Sequence, residues 1–456
     1  MMKSSFGRRY VESDSTALVP VPEPVAKPAE DQFRIPVMDE TRRQIRDVLL
    51  TRIEPAAAIR LSADGLRAEI RRLVGEIGNE QRVQLNAREE ERLVQELLDD
   101  MVGLGPLESL LQDESITDIM VNGPHSVWVE RRGKLELVPV RFRDNQHVAN
   151  IAQRIAASVG RRVDEASPIC DARLADGSRV NILLPPLALA GPTLSIRKFS
   201  RRAITFDMMV RQGNMSDAMA RFLEIAAKAR LNILVSGGTG SGKTTLMNAM
   251  SRSIDHGERI VTIEDAAELR LQQPHVVPIE TRPANLEGNG EINQRDLLKN
   301  ALRMRPDRII VGETRGAEAF DMLQAMNTGH DGSMSTVHAN TPRDALARVE
   351  NMVLMAAVGL PSRAIRTQIV SALDLVVQIE RMRDGIRRIA SVVEVVGLES
   401  DVITTQELFA FRYEGETREG TLRGTYVCTG YRPHFLDKVA QFGLDRRLLE
   451  IMGVEA

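Results

Sequence analysis

The stretch NILVSGGTGSGKTTLMNAM, residues 232–250, decides the fold. An apolar run of strand length meets G-x-x-x-x-G-K-T, Gly237 to Thr244, and a helix-forming segment follows directly. Glycines at these positions let backbone N–H groups close around phosphate oxygens where a side chain would block the approach. The helix N-terminus adds its positive end. Gly237, Gly238, Thr239, Gly240, Ser241, Gly242, Lys243, Thr244 and Thr245 are therefore the candidate nucleotide cradle. Lys243 is placed to reach the β and γ phosphates of ATP, and the Thr244 hydroxyl to meet Mg2+.

Two further apolar runs end in acids. DRIIVGETRG, residues 307–316, carries Glu313, and RIVTIEDAAEL, residues 259–269, carries Glu264, Asp265 and Glu268. In an open, mainly parallel sheet the carboxyl ends of the strands face the ligand. A carboxylate there can hold magnesium-bound water or polarise an attacking one. A fourth run, MSTVH, brings His338 to the same edge. His330 and His338 lack the helical i, i+4 spacing of a zinc pair, so neutral imidazoles that sense phosphate fit better than metal ligands. With only Cys170 and Cys428, the chain cannot build a disulfide framework or a four-cysteine zinc site.

Outward from this core, strands and helices alternate from about residue 216 to 396, as an α/β sheet covered by helices requires. A β-rich extension follows. Upstream, residues 103–200 hold short alternating runs broken by Asn-Gly, Gly-Lys and Asp-Gly turns, with a helix at QHVANIAQRIAASVG (146–160). That predicts a smaller α+β N-terminal domain, joined by a linker at 201–215. Residues 39–102 read as a helical region, with Leu66, Ile70, Leu73, Val74 and Ile77 on one face and Asn86 and Glu89 at capping-box spacing. Residues 1–38 contain VPVPEPVAKPAED and read as a disordered Pro-rich tail.

Composition narrows the partners. Sixty basic against 63 acidic residues, with 4% aromatics, argue against a nucleic-acid surface. No segment approaches the ~20 apolar residues of a membrane span, so a cytoplasmic protein that meets a membrane only through partners is expected.

The ordered set SGGTGSGKTT, TIEDAAEL and LRMRPDRIIVGETRGAEAFDMLQAMNTGHDGSMSTVHAN resembles the type II/IV secretion ATPase superfamily, as Walker A motif, Asp box, Walker B motif and His box. GLGPLESLL, DESITDIMVNG and GRRVDEASPICDARLADGSRVN resemble the N-terminal domain of its CpaF branch, the motor of tight-adherence (Flp) pilus assembly. The resemblance spans about residues 100–400. It implies a RecA-like P-loop ATPase domain, a homo-hexamer, and inner-membrane platform proteins as partners. It carries the Asp-box acid to Glu268, favoured for the water, and the Walker B acid to Glu313, favoured for the magnesium shell. It also implies arginines at the nucleotide: Arg179, Arg197 and, as a further candidate, Arg315. The four-cysteine zinc insertion of type II secretion ATPases is absent, and EDAAEL stands where those members carry EDPIE. A nucleic-acid translocating ATPase and a non-hydrolysing nucleotide-gated scaffold are the competing functions.

Overall fold

The computed structural model describes residues 45, 46, 48, 49 and 52 and, between 62 and 454, all but 82–84, 132, 200–203, 283, 285–288, 357–358 and 418–419. The Pro-rich tail expected at 1–38 lies outside the described residues. The chain divides into two compact units, 1–105 and 106–456.

The first unit is helical. Helix α1 (Ala63–Glu80) starts at Ser62, whose hydroxyl accepts from the Gly65 amide; α2 (Ala87–Val102) starts at Asn86, which forms the capping box with Glu89. Leu66, Ile70, Leu73, Val74 and Ile77 share one buried cluster with Leu93, Val94 and Leu97. Two amphipathic stripes thus cover each other, as helical periodicity demands.

The second unit holds two sheets. In the smaller, β1 (Ile116–Asn122), β2 (Val127–Arg131), β3 (Lys134–Leu137), β4 (Ile169–Arg173), β5 (Arg179–Leu183) and β6 (Thr193–Arg197) form an antiparallel sheet in the order β3-β2-β1-β6-β5-β4. Alternate residues are buried, Ile119 and Val121 on β1, Val180 and Ile182 on β5, Leu194 and Ile196 on β6. Helix α3 (Asn145–Ser158), capped by Asp144, buries Val148, Ile151, Ala152 and Ile155.

The larger sheet has nine strands in the order β15-β14-β13-β12-β7-β11-β10-β8-β9. Here β7 (Ile233–Ser236), β8 (Ile260–Glu264), β9 (Val276–Glu280), β10 (Arg308–Val311), β11 (Met334–Val337) and β12 (Leu375–Arg381) run parallel. Strands β13 (Arg387–Glu399), β14 (Val402–Glu416) and β15 (Leu422–Cys428) continue it antiparallel. The core strands are buried on both faces, which is why they appear in sequence as continuous apolar runs. Ile233, Val235, Ile310 and Val377 face one core, while Leu234, Val261, Ile309 and Val376 face the other.

Two expectations need correction. The supposed linker at 201–215 contains helix α4 (Phe206–Arg211), whose Phe206 and Met209 join the core beside Phe222 of helix α5 (Asp217–Lys228). A six-residue helix is too short to show a period in sequence. The β-rich extension, likewise, ends in two short helices, Leu436–Ala440 and Asp445–Met452, which bury Leu436, Val439, Leu448, Leu449 and Met452 in the same core.

Candidate active site

Four parallel strands deliver the site at their carboxyl ends. β7 runs into the phosphate loop, β8 ends in Glu264, Glu313 follows β10 after one glycine, and His338 follows β11. Gly240 and Gly242 hold left-handed backbone, φ 68° and 101°, which favours glycine. Gly237 is required by crowding, since a Cβ there would stand 2.2 Å from the Ile379 carbonyl oxygen and 2.6 Å from Ser241 Oγ. Helix α6 (Lys243–Ser251) begins at Gly242 with no side-chain cap, so its first N–H groups remain for an anion. The phosphate loop, Arg179, Arg197, Glu264, Asp265, Glu268, Glu313, Arg315, Thr336 and His338 border one cavity of about 260 Å³.

Lys243 Nζ donates to the carbonyls of Gly237 and Gly238, each at 3.0 Å. Burial pushes its pKa down to about 8, although Glu313 pulls it back up. Glu313 is pinned by Arg315, whose Nη2 and Nε both stand 2.8 Å from its oxygens. Burial alone would raise the Glu313 pKa, but the Arg315 hydrogen bond and charge, with His338 and Lys243, take it below its ordinary value. His338 Nε2 lies 3.1 Å from Glu313 Oε1 and 3.4 Å from Lys243 Nζ. Nε2 thus stands between an ammonium, which only donates, and a carboxylate, which only accepts. Burial first, and the Lys243 charge second, lower the His338 pKa, which keeps the imidazole neutral at pH 7.

The second acid cluster is organised differently. Glu264 is buried and accepts from the Glu268 amide at 2.9 Å and the Leu269 amide at 3.0 Å. Its carboxylate braces the 264–269 turn from within, which assigns it turn geometry as well as a place on the cavity wall. Burial raises its pKa to about 7 despite those two donors. Gly312 permits this packing, because a Cβ there would meet Glu264 Cγ at 2.7 Å. Asp265 faces outward, 3.6 Å from Arg315 Nη1 and 3.3 Å from Thr281 Oγ1.

The smaller sheet closes the cavity from above this turn. Arg179 Nη1 lies 3.0 Å from Glu268 Oε1, Arg197 Nη1 3.8 Å from the same oxygen, and Arg179 also donates to the Ala266 carbonyl. Sequence reading did not single out Arg173, which donates to the Ala267 carbonyl at 2.7 Å, nor Arg270, stacked 3.8 Å over the Phe199 ring. It also missed Gln294, at the start of helix α7 (Gln294–Ala301), which lines the cavity with a buried Oε1 that has no hydrogen-bond partner. No one-dimensional pattern marks these residues, since each acts across the fold. His330 is the correction here. It precedes β11 while His338 follows it, so the two stand at opposite ends of the strand. His330 Nδ1 sits 3.3 Å from the Ala325 carbonyl, away from the cavity.

These residues fit the phosphates of a nucleotide. Backbone amides, an uncapped helix start and a buried lysine suit phosphates, and Ser241 Oγ is a buried hydroxyl without a partner inside the loop. The profile of the type II/IV secretion system protein family matches residues 100–404.

The chain belongs to that family.

It is an ATPase of the type II/IV secretion system family, with the phosphate loop and acidic strand ends just described. Among its relatives, a putative conjugal transfer protein of Mycobacterium tuberculosis H37Rv is 42% identical over 299 residues, 64% of this chain and 84% of that protein. The type IV secretion system protein VirB11 of Bartonella quintana is 32% identical over 319 residues, 61% and 88% of the two chains. Of solved structures, the VirB11 ATPase of the Brucella suis type IV secretion system, in complex with sulphate, is 31% identical; the match covers 63% of this chain and 94% of that one, at a TM-score of 0.35. Among the described residues of this secretion-family ATPase, no helix is long and apolar enough to cross a membrane.

Proposed function

We propose that this protein is a ring-forming ATP-hydrolysing motor for pilus assembly of the tight-adherence (CpaF) type, working on inner-membrane platform proteins as a peripheral cytoplasmic homo-hexamer. One observation carries the reading: arginines of the smaller sheet and acids of the larger converge on one phosphate cavity. A site shared between two sheets links nucleotide turnover to their relative movement, as a motor requires. The N-terminal motifs and the EDAAEL box support the CpaF branch.

In the proposed mechanism, the loop amides and Lys243 bind the β and γ phosphates of ATP. Glu268 orients the attacking water and accepts its proton, while Arg179 and Arg197 leave Glu268 to meet the charge that develops on the γ-phosphoryl oxygens. His338, beside Glu313 and Lys243, reports whether the γ phosphate is present. Magnesium would be held by Thr244 and Glu313 and would supply charge neutralisation at the phosphates.

Steady-state hydrolysis measured against protein concentration tests this. Activity should rise cooperatively with assembly, and Glu268→Gln and Glu313→Gln should each lose on the order of a hundredfold in kcat. Turnover like wild type in both variants would overturn this assignment of the two acids; no hydrolysis by the wild-type protein at any concentration would favour the nucleotide-gated scaffold. The relatives named for conjugal transfer favour a second reading, in which the same motor serves conjugative export. Steeply salt-dependent binding to single-stranded DNA would support that reading; its composition predicts none.

A further inference from the structure

Two arginines outside every motif stand between the smaller sheet and the phosphate loop. Arg387 opens β13 and Arg381 closes β12, the strand beside β7. Arg387 Nε donates to the Gly240 carbonyl at 2.8 Å, and its Cδ lies 3.2 Å from where a Cβ on Gly242 would be. It therefore rests against both left-handed glycines of the loop. On its other side, Arg387 Nη2 lies 3.8 Å from Glu130 Oε1, on β2 of the smaller sheet. Arg381 reinforces the link: Nη1 stands 3.6 Å from the same Glu130 oxygen, and Nη2 donates to the Gly133 carbonyl in the β2–β3 turn.

We infer that Arg387 is a positioning residue for the phosphate loop, and that Glu130 of the smaller sheet sets how firmly it holds that loop. The inference rests on the nucleotide-binding reading above. The Gly240 carbonyl is tethered by a guanidinium whose counter-charge belongs to the other sheet, so moving the β2–β3 hairpin alters the restraint on the loop. The phosphate cradle is thereby informed of the smaller sheet's place by a route separate from Arg179 and Arg197. A planar guanidinium suits this role because its Nε and Nη groups can address two partners at once.

The test is a double-mutant cycle on full-length protein, reading the affinity for a fluorescent ADP analogue together with kcat and KM for ATP. Arg387→Ala should weaken nucleotide binding roughly tenfold, the size of a lost charge-assisted hydrogen bond. Glu130→Gln should weaken it about threefold in the wild-type background and have no effect in the Arg387→Ala background. Saturating kcat should fall less than affinity in both, since neither residue touches the reacting atoms. Should Arg387→Ala not fold, Arg387→Lys, which keeps the cation but loses the Nε–H, takes its place in the cycle. Single effects that multiply in the double variant would overturn the inference, as would unchanged affinity in either single variant. Wild-type protein that binds no nucleotide would remove the underlying reading; wild-type binding with an uncoupled cycle removes this inference alone.

Discussion

Lys243 illustrates how much a single residue's chemistry depends on its walls. Buried among glycine carbonyls, it has a pKa of about 8, so a large fraction is neutral at mildly alkaline pH. Phosphate oxygens stabilise the ammonium and raise that pKa on binding. The bound state then holds more protons, so nucleotide affinity should fall as pH rises through about 8, by up to tenfold per unit. Calorimetry at pH 8.5 in buffers of different ionisation enthalpy should show proton uptake; none would mean that Lys243 stays charged throughout. His338 adds a second check. Its Nε2 lies within reach of both Lys243 and Glu313, so His338→Asn, whose amide can donate or accept, should retain more turnover than His338→Ala. Steady-state kcat for the two variants decides this, and equal losses would make the ring itself, rather than its hydrogen-bonding capacity, the needed feature.

At the scale of elements, the 264–269 turn is where the site is held together. Glu264 is an acid whose folded pKa, about 7, stands above its ordinary value of 4.5. Between those pH values the folded state holds a proton that the unfolded chain has released. Stability from this group is present below about 4.5, falls as pH rises to about 7, and is level above it. Glu264→Gln keeps an acceptor for the turn's amides but cannot ionise, so urea unfolding followed from pH 5 to 7.5 should lose part of the wild-type slope. An unchanged slope would place the titration elsewhere. Gly312→Ala should cost about 1–3 kcal/mol in thermal unfolding through contact with the Glu264 side chain. The phosphate loop and the acidic strand ends were legible in sequence because each is a local pattern with a fixed context. Helix α4 was not, because a six-residue helix shows less than two turns of periodicity and its Phe206 and Met209 look like any linker apolar pair.

At the scale of the whole molecule, the α/β sheet was legible because buried parallel strands leave unbroken apolar runs such as ILVS and RIIV. What sequence could not supply was which distant residues meet. Arg387 reaches Gly240 across 147 positions, and Arg173 reaches Ala267 across 94. Such contacts follow from sheet order, which no local pattern encodes. His330, named with His338 as a candidate phosphate sensor, stands at the other end of β11. In the proposed mechanism, arginines of the smaller sheet complete the hydrolytic site of the larger. The decisive quantity is kcat for ATP hydrolysis at saturating nucleotide in Arg179→Ala and Arg197→Ala, with the affinity for an ADP analogue determined alongside. The kcat should fall on the order of a hundredfold or more in at least the Arg179 variant while ADP affinity changes far less, as expected for charge stabilisation confined to the transition state. Turnover within twofold of wild type in both variants would contradict it.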